Sequence, residues 1–377
     1  MNKRILLITG EESGDVYAGK LIHHLTKMLP GVEIDGIGGP RCRTAGMNTF
    51  FDISQMASIG VASMLRRLRF FLMVLGEIKN RVSDGNYDAV ILIDYPDFNM
   101  RVAKTANVAG IPVYYYVCPQ FWAWRRYRLR AVRKYIDQML VVFPFEEDYY
   151  LRHGINAKFV GHPLCDEFEQ IQDRDSLRQQ FGAEPSQTVL GLFPGSRQSE
   201  INRMLPLMLK AAKLIQHQKK VKVLIACPRS IDLKFIQNHI NDPEETISIA
   251  HDRSWEVMSA CDYLICKSGT STLQATISGC PMQIVYKSDL FSYILAKSLV
   301  YIKYSGLPNL LASKEFIPEL LQWNMTPKAM ANVALDYLSD PKKMYVMKEN
   351  LEKVKRSLGK SGASERAALN IIEHLKK

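Results

Sequence analysis

The chain has 377 residues, 47% of them hydrophobic, and a formal net charge of +11 at pH 7. That length suits two domains of roughly 150 to 200 residues rather than one core, and the apolar share excludes global disorder. Seven cysteines are scattered without the close Cys/His spacing of a zinc site, and their odd number argues against a disulfide framework, so reduced, mostly buried thiols are expected.

Lys3 and Arg4 precede a short apolar run that soon meets Glu11, Glu12 and Asp15. A secretory signal needs a longer apolar stretch and a small-residue cleavage site, so the run is read as a first buried strand. No stretch approaches the ~18 apolar residues of a membrane-spanning helix, and a cytoplasmic location is expected.

Strands are predicted at Arg4 to Thr9, Glu33 to Ile37, Ala89 to Ile93, Pro112 to Val117, Gln138 to Val142 and Lys158 to Val160. Helical patterns lie between several of them, at Ala18 to Met28, Met64 to Arg81 and Arg101 to Val108. Such alternation means a parallel sheet with helices on both faces. A polar stretch without strand signal follows Gly161-His162-Pro163, and the alternation then restarts. The second set comprises strands at Thr188 to Phe193, Val221 to Ala226, Thr246 to Ile249, Tyr263 to Cys266 and Met282 to Tyr286, with helices from about Glu200 and after Gly269. The expected fold class is α/β, with two doubly wound domains facing an interdomain cleft. Their expected extents are 1–163 and 188–340, joined by a linker at 164–187. A helical tail, 341–377, would pack back on the first domain of its own or a partner chain.

Gly10-Glu11-Glu12-Ser13-Gly14-Asp15 follows the first strand. It lacks G-x-G-x-x-G, and three carboxylates at a helix start oppose a pyrophosphate, which argues against NAD or FAD. Either Ser13 or Asp15 caps the helix, or the loop lines a cleft and meets hydroxyls of a sugar-like ligand. Asp94 ends an all-apolar strand, where a carboxylate faces the ligand crevice of a parallel sheet. It is the first candidate for a base that takes an acceptor hydroxyl proton; Asp97 is the second, unless it only caps the helix with Asn99.

In the second domain, Pro194-Gly195-Ser196-Arg197 and Lys267-Ser268-Gly269-Thr270 each join a strand to a helix. Such turns present N–H groups to an anion, and the pair together suits a nucleotide diphosphate. Arg197 would neutralise the leaving diphosphate and Gln274 would hold ribose hydroxyls. Asp173-Arg174-Asp175 imitates a metal motif but has no strand before it and is read as solvated charge. No metal and no cofactor are expected.

Met64, Leu65, Leu68, Phe71, Leu72 and Leu75 repeat at helical spacing and could form one core face, while Phe70, Met73 and Val74 spread apolar surface beyond it, beside Arg66, Arg67 and Arg69. An anionic membrane surface fits that pattern; so does burial on two sides, including by an oligomer contact. A second basic cluster follows Phe121-Trp122-Ala123-Trp124, beginning at Arg125. No nucleic-acid-binding motif accompanies either cluster, so nucleic acid is not an expected partner.

Taken in order, the runs Gly10-Glu11-x-Ser13-Gly14-Asp15, Ile93-Asp94-x-Pro96-Asp97-Phe98-Asn99, Trp122-Ala123-Trp124-Arg125, Phe159-Val160-Gly161-His162, Pro194-Gly195-Ser196-Arg197, Ser268-Gly269-Thr270 and Leu307-Pro308-Asn309-Leu310-Leu311-Ala312 closely resemble the lipid-A-disaccharide synthase family. The resemblance covers about residues 10 to 312. It implies a metal-independent, inverting glycosyltransferase of the GT-B type, built from two Rossmann-like domains. The implied reaction joins UDP-2,3-diacylglucosamine to 2,3-diacylglucosamine 1-phosphate (lipid X), giving a β-1,6 disaccharide 1-phosphate and UDP. It further implies a catalytic set of Asp94, Arg197 and Glu11. UDP would lie by Gly195, Ser196, Arg197, Ser268, Gly269, Thr270, Gln274 and Asn309, and the acceptor by Ser13, Asp15, Asp97, Asn99, Trp124 and Arg125. The protein would sit peripherally on the inner face of the inner membrane, with a homodimer as a possible assembly. This chain carries Gln274 where the family usually has Glu, exchanging a carboxylate's two acceptors for one. Another GT-B transferase, a UDP-sugar epimerase and a catalytically weakened membrane-binding homologue are the alternatives.

Overall fold

The structure, a computed structural model, describes residues 3–57, 64–84, 87–123, 126–168, 173–240, 246–289 and 303–376. It divides into two units, Met1–Asp166 with Leu358–Lys377, and Glu167–Ser357. Each is built on one all-parallel sheet.

The first sheet has seven strands, β1 (Arg4–Thr9), β2 (Glu33–Gly38), β3 (Asn48–Asp52), β4 (Ala89–Ile93), β5 (Val113–Tyr116), β6 (Gln138–Val141) and β7 (Ala157–Phe159), in the order β3-β2-β1-β4-β5-β6-β7. The second has six, β8 (Thr188–Phe193), β9 (Val221–Cys227), β10 (Ile247–His251), β11 (Tyr263–Lys267), β12 (Met282–Tyr286) and β13 (Glu319–Leu321), in the order β10-β9-β8-β11-β12-β13. The central strands are apolar throughout because helices cover both sheet faces: every residue of β4 is fully buried. In each sheet the order reverses once, between β1 and β4 and between β8 and β11. Ligands of open α/β sheets bind at such reversals, beyond the strand carboxyl ends.

Two strands, β3 and β13, lie where none was expected. Both are short and half-buried, without the apolar run that marks a central strand. The first helix starts at Glu12 and not near Ala18, and the helix after β4 starts at Pro96. Ser13 and Asp15 therefore lie inside a first turn, and neither caps it: the N-cap is Glu11, with no side-chain bond.

The expected linker and tail divide between the units. Asp173 caps an Arg174–Gln180 helix, and Arg174 pairs with Asp262 at 2.6 Å, so this stretch packs within the second unit. The Pro341–Ser357 helix also belongs there, burying Met347 and Leu351 in the apolar cluster around β8 and β11. Only the last helix, Ala363–Leu375, joins the first unit, where it packs on the Glu12–Met28 helix. Asp166 holds its start, accepting from the Gly362, Ala363 and Ser364 amides at 2.7, 3.2 and 3.4 Å, an anion at a helix N-terminus. All seven cysteines are free and buried. Among the described residues no helix is long and apolar enough to cross a membrane.

Candidate active site

The register pairs Thr9 of β1 with Ile93 of β4, which brings Glu11 and Asp94 to the reversal of the first sheet. Asp94 and Tyr95 both have left-handed backbone, with φ of 49° and 46°. For residues other than glycine this costs on the order of 1–2 kcal/mol each. The turn is held by side chains. The Asn99 carboxamide donates to the Ile93 and Asp94 carbonyls at 3.1 and 2.7 Å, and the Tyr115 hydroxyl also donates to the Asp94 carbonyl. Gly10 makes room for it, since a Cβ there would stand 2.4 Å from the Tyr95 ring.

Burial raises the Asp94 carboxyl to about 6, the Glu11 charge adds to the effect, and the Tyr95 amide opposes it. A carboxyl near that value is ionised at neutral pH yet retains basicity, which suits proton abstraction. Tyr115 is fully buried, which pushes its hydroxyl well above the usual 10 and keeps it a donor.

The geometry gives several of the expected acceptor residues other partners. Asp15 is buried, and its carboxylate accepts the Gly39, Arg41 and Cys42 amides at 2.6, 2.9 and 3.2 Å; it ties the first helix to the Pro40–Thr44 helix and has no surface for an acceptor. Asn99 is fully buried, and its carboxamide nitrogen holds backbone while its oxygen has no partner among the described residues. Asp97 is exposed and paired with Arg128. Ser13 is half-buried. Trp124 and Arg125 lie outside the described residues. Around Trp122 stands a group that the sequence did not reveal. The Trp122 indole donates to Glu146 at 2.8 Å, and the other Glu146 oxygen accepts from the Val142 and Phe143 amides at 3.3 and 3.0 Å. Glu146 is fully buried, and burial raises it to about 7.

In the second sheet Phe193 pairs with Cys266, setting Pro194 to Arg197 beside Lys267 to Thr270 at the reversal. Gly269 has φ +147°, open to glycine alone, and lets the chain turn straight into the Thr270–Ser278 helix. That helix and the Gln198–Gln216 helix each leave first-turn N–H groups without intrahelical acceptors. Arg197 and Thr270 are exposed and Gln274 is half-buried. Lys267 pairs with Glu200 at 2.9 Å, and Glu200 also accepts the Ser196 amide at 3.2 Å, linking the two turns. Neither residue was expected in the site, although a lysine ending an apolar strand just before Ser-Gly-Thr is a readable signal.

Asn309 likewise has other partners. It is fully buried; it donates to the Ile317 carbonyl and to Glu319, both at 2.8 Å, and accepts the Phe316 and Ile317 amides at 3.0 Å. Its bonding capacity is spent on the chain, which leaves none for a donor sugar. Glu319 also accepts the Ser305 and Gly306 amides, and the Ser268 hydroxyl donates to the Ser305 carbonyl at 2.7 Å. Asn309 thus shapes the segment beside the Ser268 turn.

The Met64–Ser83 helix presents one face to the core: Val74, Ile78 and Val82 are fully buried, and Phe70 and Phe71 pack edge-on against Phe51 and Phe98. Val74 is therefore a core residue and not a lipid contact. Arg69, Leu72 and Met73 are exposed. The side chains of Met64, Leu65, Arg66, Arg67 and Leu68 lie outside the description. Among the described residues no group of three or more His, Cys, Asp or Glu could hold a metal ion.

Residues 5–372 match the family model described as lipid-A-disaccharide synthetase. The chain belongs to the lipid-A-disaccharide synthase family. The lipid-A-disaccharide synthase of Geobacter metallireducens is 37% identical over 377 residues, covering 100% of this chain and 98% of that protein. That of Nitrosococcus oceani is 36% identical, covering 97% and 95%. Solved structures place this member of the synthase family among GT-B folds. They include a Staphylococcus aureus MnaA–UDP co-structure (TM-score 0.69, 12% identity, 99% and 97% covered) and Acinetobacter baumannii MurG (TM-score 0.61, 14% identity, 99% and 100% covered). At those identities the likeness concerns the fold alone.

Proposed function

We propose that this chain transfers 2,3-diacylglucosamine from its UDP ester to the hydroxyl of 2,3-diacylglucosamine 1-phosphate, with inversion. The observation that carries the reading is the double placement at the strand-order reversals: Asp94 with Glu11 in one sheet, and two glycine turns with Arg197 and Lys267 in the other. Asp94 takes the acceptor hydroxyl proton as its oxygen attacks the anomeric carbon. The bond from that carbon to the diphosphate oxygen breaks, and UDP leaves with the electron pair. Arg197, Lys267 and the first-turn N–H groups stabilise the charge that gathers on the diphosphate, where preorganised donors act most strongly. Gln274 supplies one carboxamide toward the ribose.

Both substrates carry acyl chains, so the enzyme works at the cytoplasmic face of the inner membrane. Leu72 and Met73 dip into the acyl boundary, while Arg69 and the positive charge of the chain meet anionic headgroups. The test is release of UDP by the purified protein, which requires both lipids together. Absence of UDP and of a disaccharide phosphate from the complete mixture contradicts the reading.

A further inference from the structure

We propose that Asn99 and Tyr115 are positioning residues, which together hold the Asp94–Tyr95 backbone in its left-handed turn and so fix where the Asp94 carboxylate stands beside Glu11. The inference rests on the reading of Asp94 as the base.

Each side chain comes from a different element. Tyr115 lies on β5, in register with Leu92 of β4, and reaches along the sheet to the Asp94 carbonyl. Asn99 lies one turn into the Pro96–Val108 helix, with its own amide on the Tyr95 carbonyl at 3.0 Å. The left-handed pair is thus bound from the neighbouring strand and from the helix that follows it. Three donor contacts converge on two consecutive carbonyls, those of Ile93 and Asp94. Carbonyl groups at a strand end ordinarily continue the ladder or meet water; here side chains from fully buried residues take them. Two consecutive left-handed residues other than glycine persist only where surrounding structure over-determines them, and this bonding supplies that constraint. Releasing one carbonyl lets the turn relax toward ordinary backbone, which moves the carboxylate and opens it to water. The charged or titratable groups that bear on Asp94 are Glu11 and Tyr115.

The test uses the full chain labelled with ¹³C at aspartate carboxyl carbons, the Asp94 signal being assigned from its loss in Asp94→Asn. In the wild type this signal titrates near 6. In Tyr115→Phe, which keeps the ring, the midpoint falls toward the ordinary 3.8. In the same variant kcat drops roughly 10- to 100-fold, as a small misplacement of a reacting group does, while KM for the UDP-sugar stays the same. Asn99→Ala shifts both readouts in the same direction; if it does not fold, Tyr115→Phe alone decides. A folded Tyr115→Phe with an unmoved Asp94 titration and wild-type kcat overturns the proposal. Full activity of Asp94→Asn would instead overturn the base assignment, and the titration of the aspartate would still report whether Tyr115 positions it.

Discussion

With its carboxyl held at about 6 by burial and by Glu11, Asp94 is increasingly protonated below that pH and loses its capacity to accept a proton. The acid limb of kcat/KM, which reports the free enzyme, is therefore expected near 6. In Asp94→Asn that limb disappears and kcat falls by roughly 10²- to 10⁴-fold. Stability moves the other way. The folded value lies above the unfolded 3.8, so the favourable contribution is complete below 3.8 and is lost as pH rises through about 6. Asp94→Asn should accordingly melt at or above the wild-type temperature at pH 8 and gain nothing at pH 3.5; a lower melting temperature at pH 8 contradicts this linkage. Asp94 was legible in the sequence because a buried apolar strand of a parallel sheet points its carboxyl end at the ligand crevice, and a carboxylate stands there. Asp15 and Asn309 have structural contacts that the sequence did not show, for one shared reason. Their polar atoms bond to backbone outside their own motifs, at residues 39–42 and 316–317. Only tertiary structure shows that a side chain's capacity is already consumed.

The Met64–Ser83 helix illustrates what periodicity leaves open at the scale of an element. The helical spacing put Leu72 on the core face and Val74 beyond it, and packing reverses the two: Val74 points inward while Leu72 and Met73 point out. Leu72→Glu with Met73→Glu should weaken binding to anionic vesicles without changing the melting temperature, as read by vesicle sedimentation and a thermal melt. Val74→Ser should do the reverse, costing about 1–3 kcal/mol for a buried hydroxyl without a partner. Equal binding by the double variant and wild type would show that this helix does not meet lipid. In the second unit, Lys267→Met should raise KM for the UDP-sugar and leave KM for the lipid acceptor unchanged; steady-state kinetics with each substrate varied checks this. The strands that carry these turns, β1, β4, β8 and β11, were readable from their apolar runs. β3 and β13 were not, because a short half-buried strand has no such signature.

At the scale of the whole molecule, both sheets carry their candidate site residues at a reversal of strand order, beyond the carboxyl ends of the strands. Two parallel-sheet units were legible from the alternation of strands and helices; the first was expected to end at 163 and ends at Asp166, while the returning tail was expected from 341 and starts at Leu358. The chain passes from the first unit at Asp166 to the second at Glu167 and returns only at Leu358. No local pattern marks that return; Asp166 at the start of the last helix and Arg366 on the Val160 carbonyl at 2.7 Å secure it. The +11 charge acts at long range, so vesicle association should weaken as salt shortens the screening length toward about 8 Å at physiological strength. The central claim is the reaction itself. Purified protein given UDP-2,3-diacylglucosamine and 2,3-diacylglucosamine 1-phosphate of distinct acyl lengths should yield one product by mass spectrometry. The expected product is a tetra-acyl disaccharide 1-phosphate carrying both acyl sets, formed in step with UDP; UDP released without that disaccharide, or no product at all, would contradict the claim.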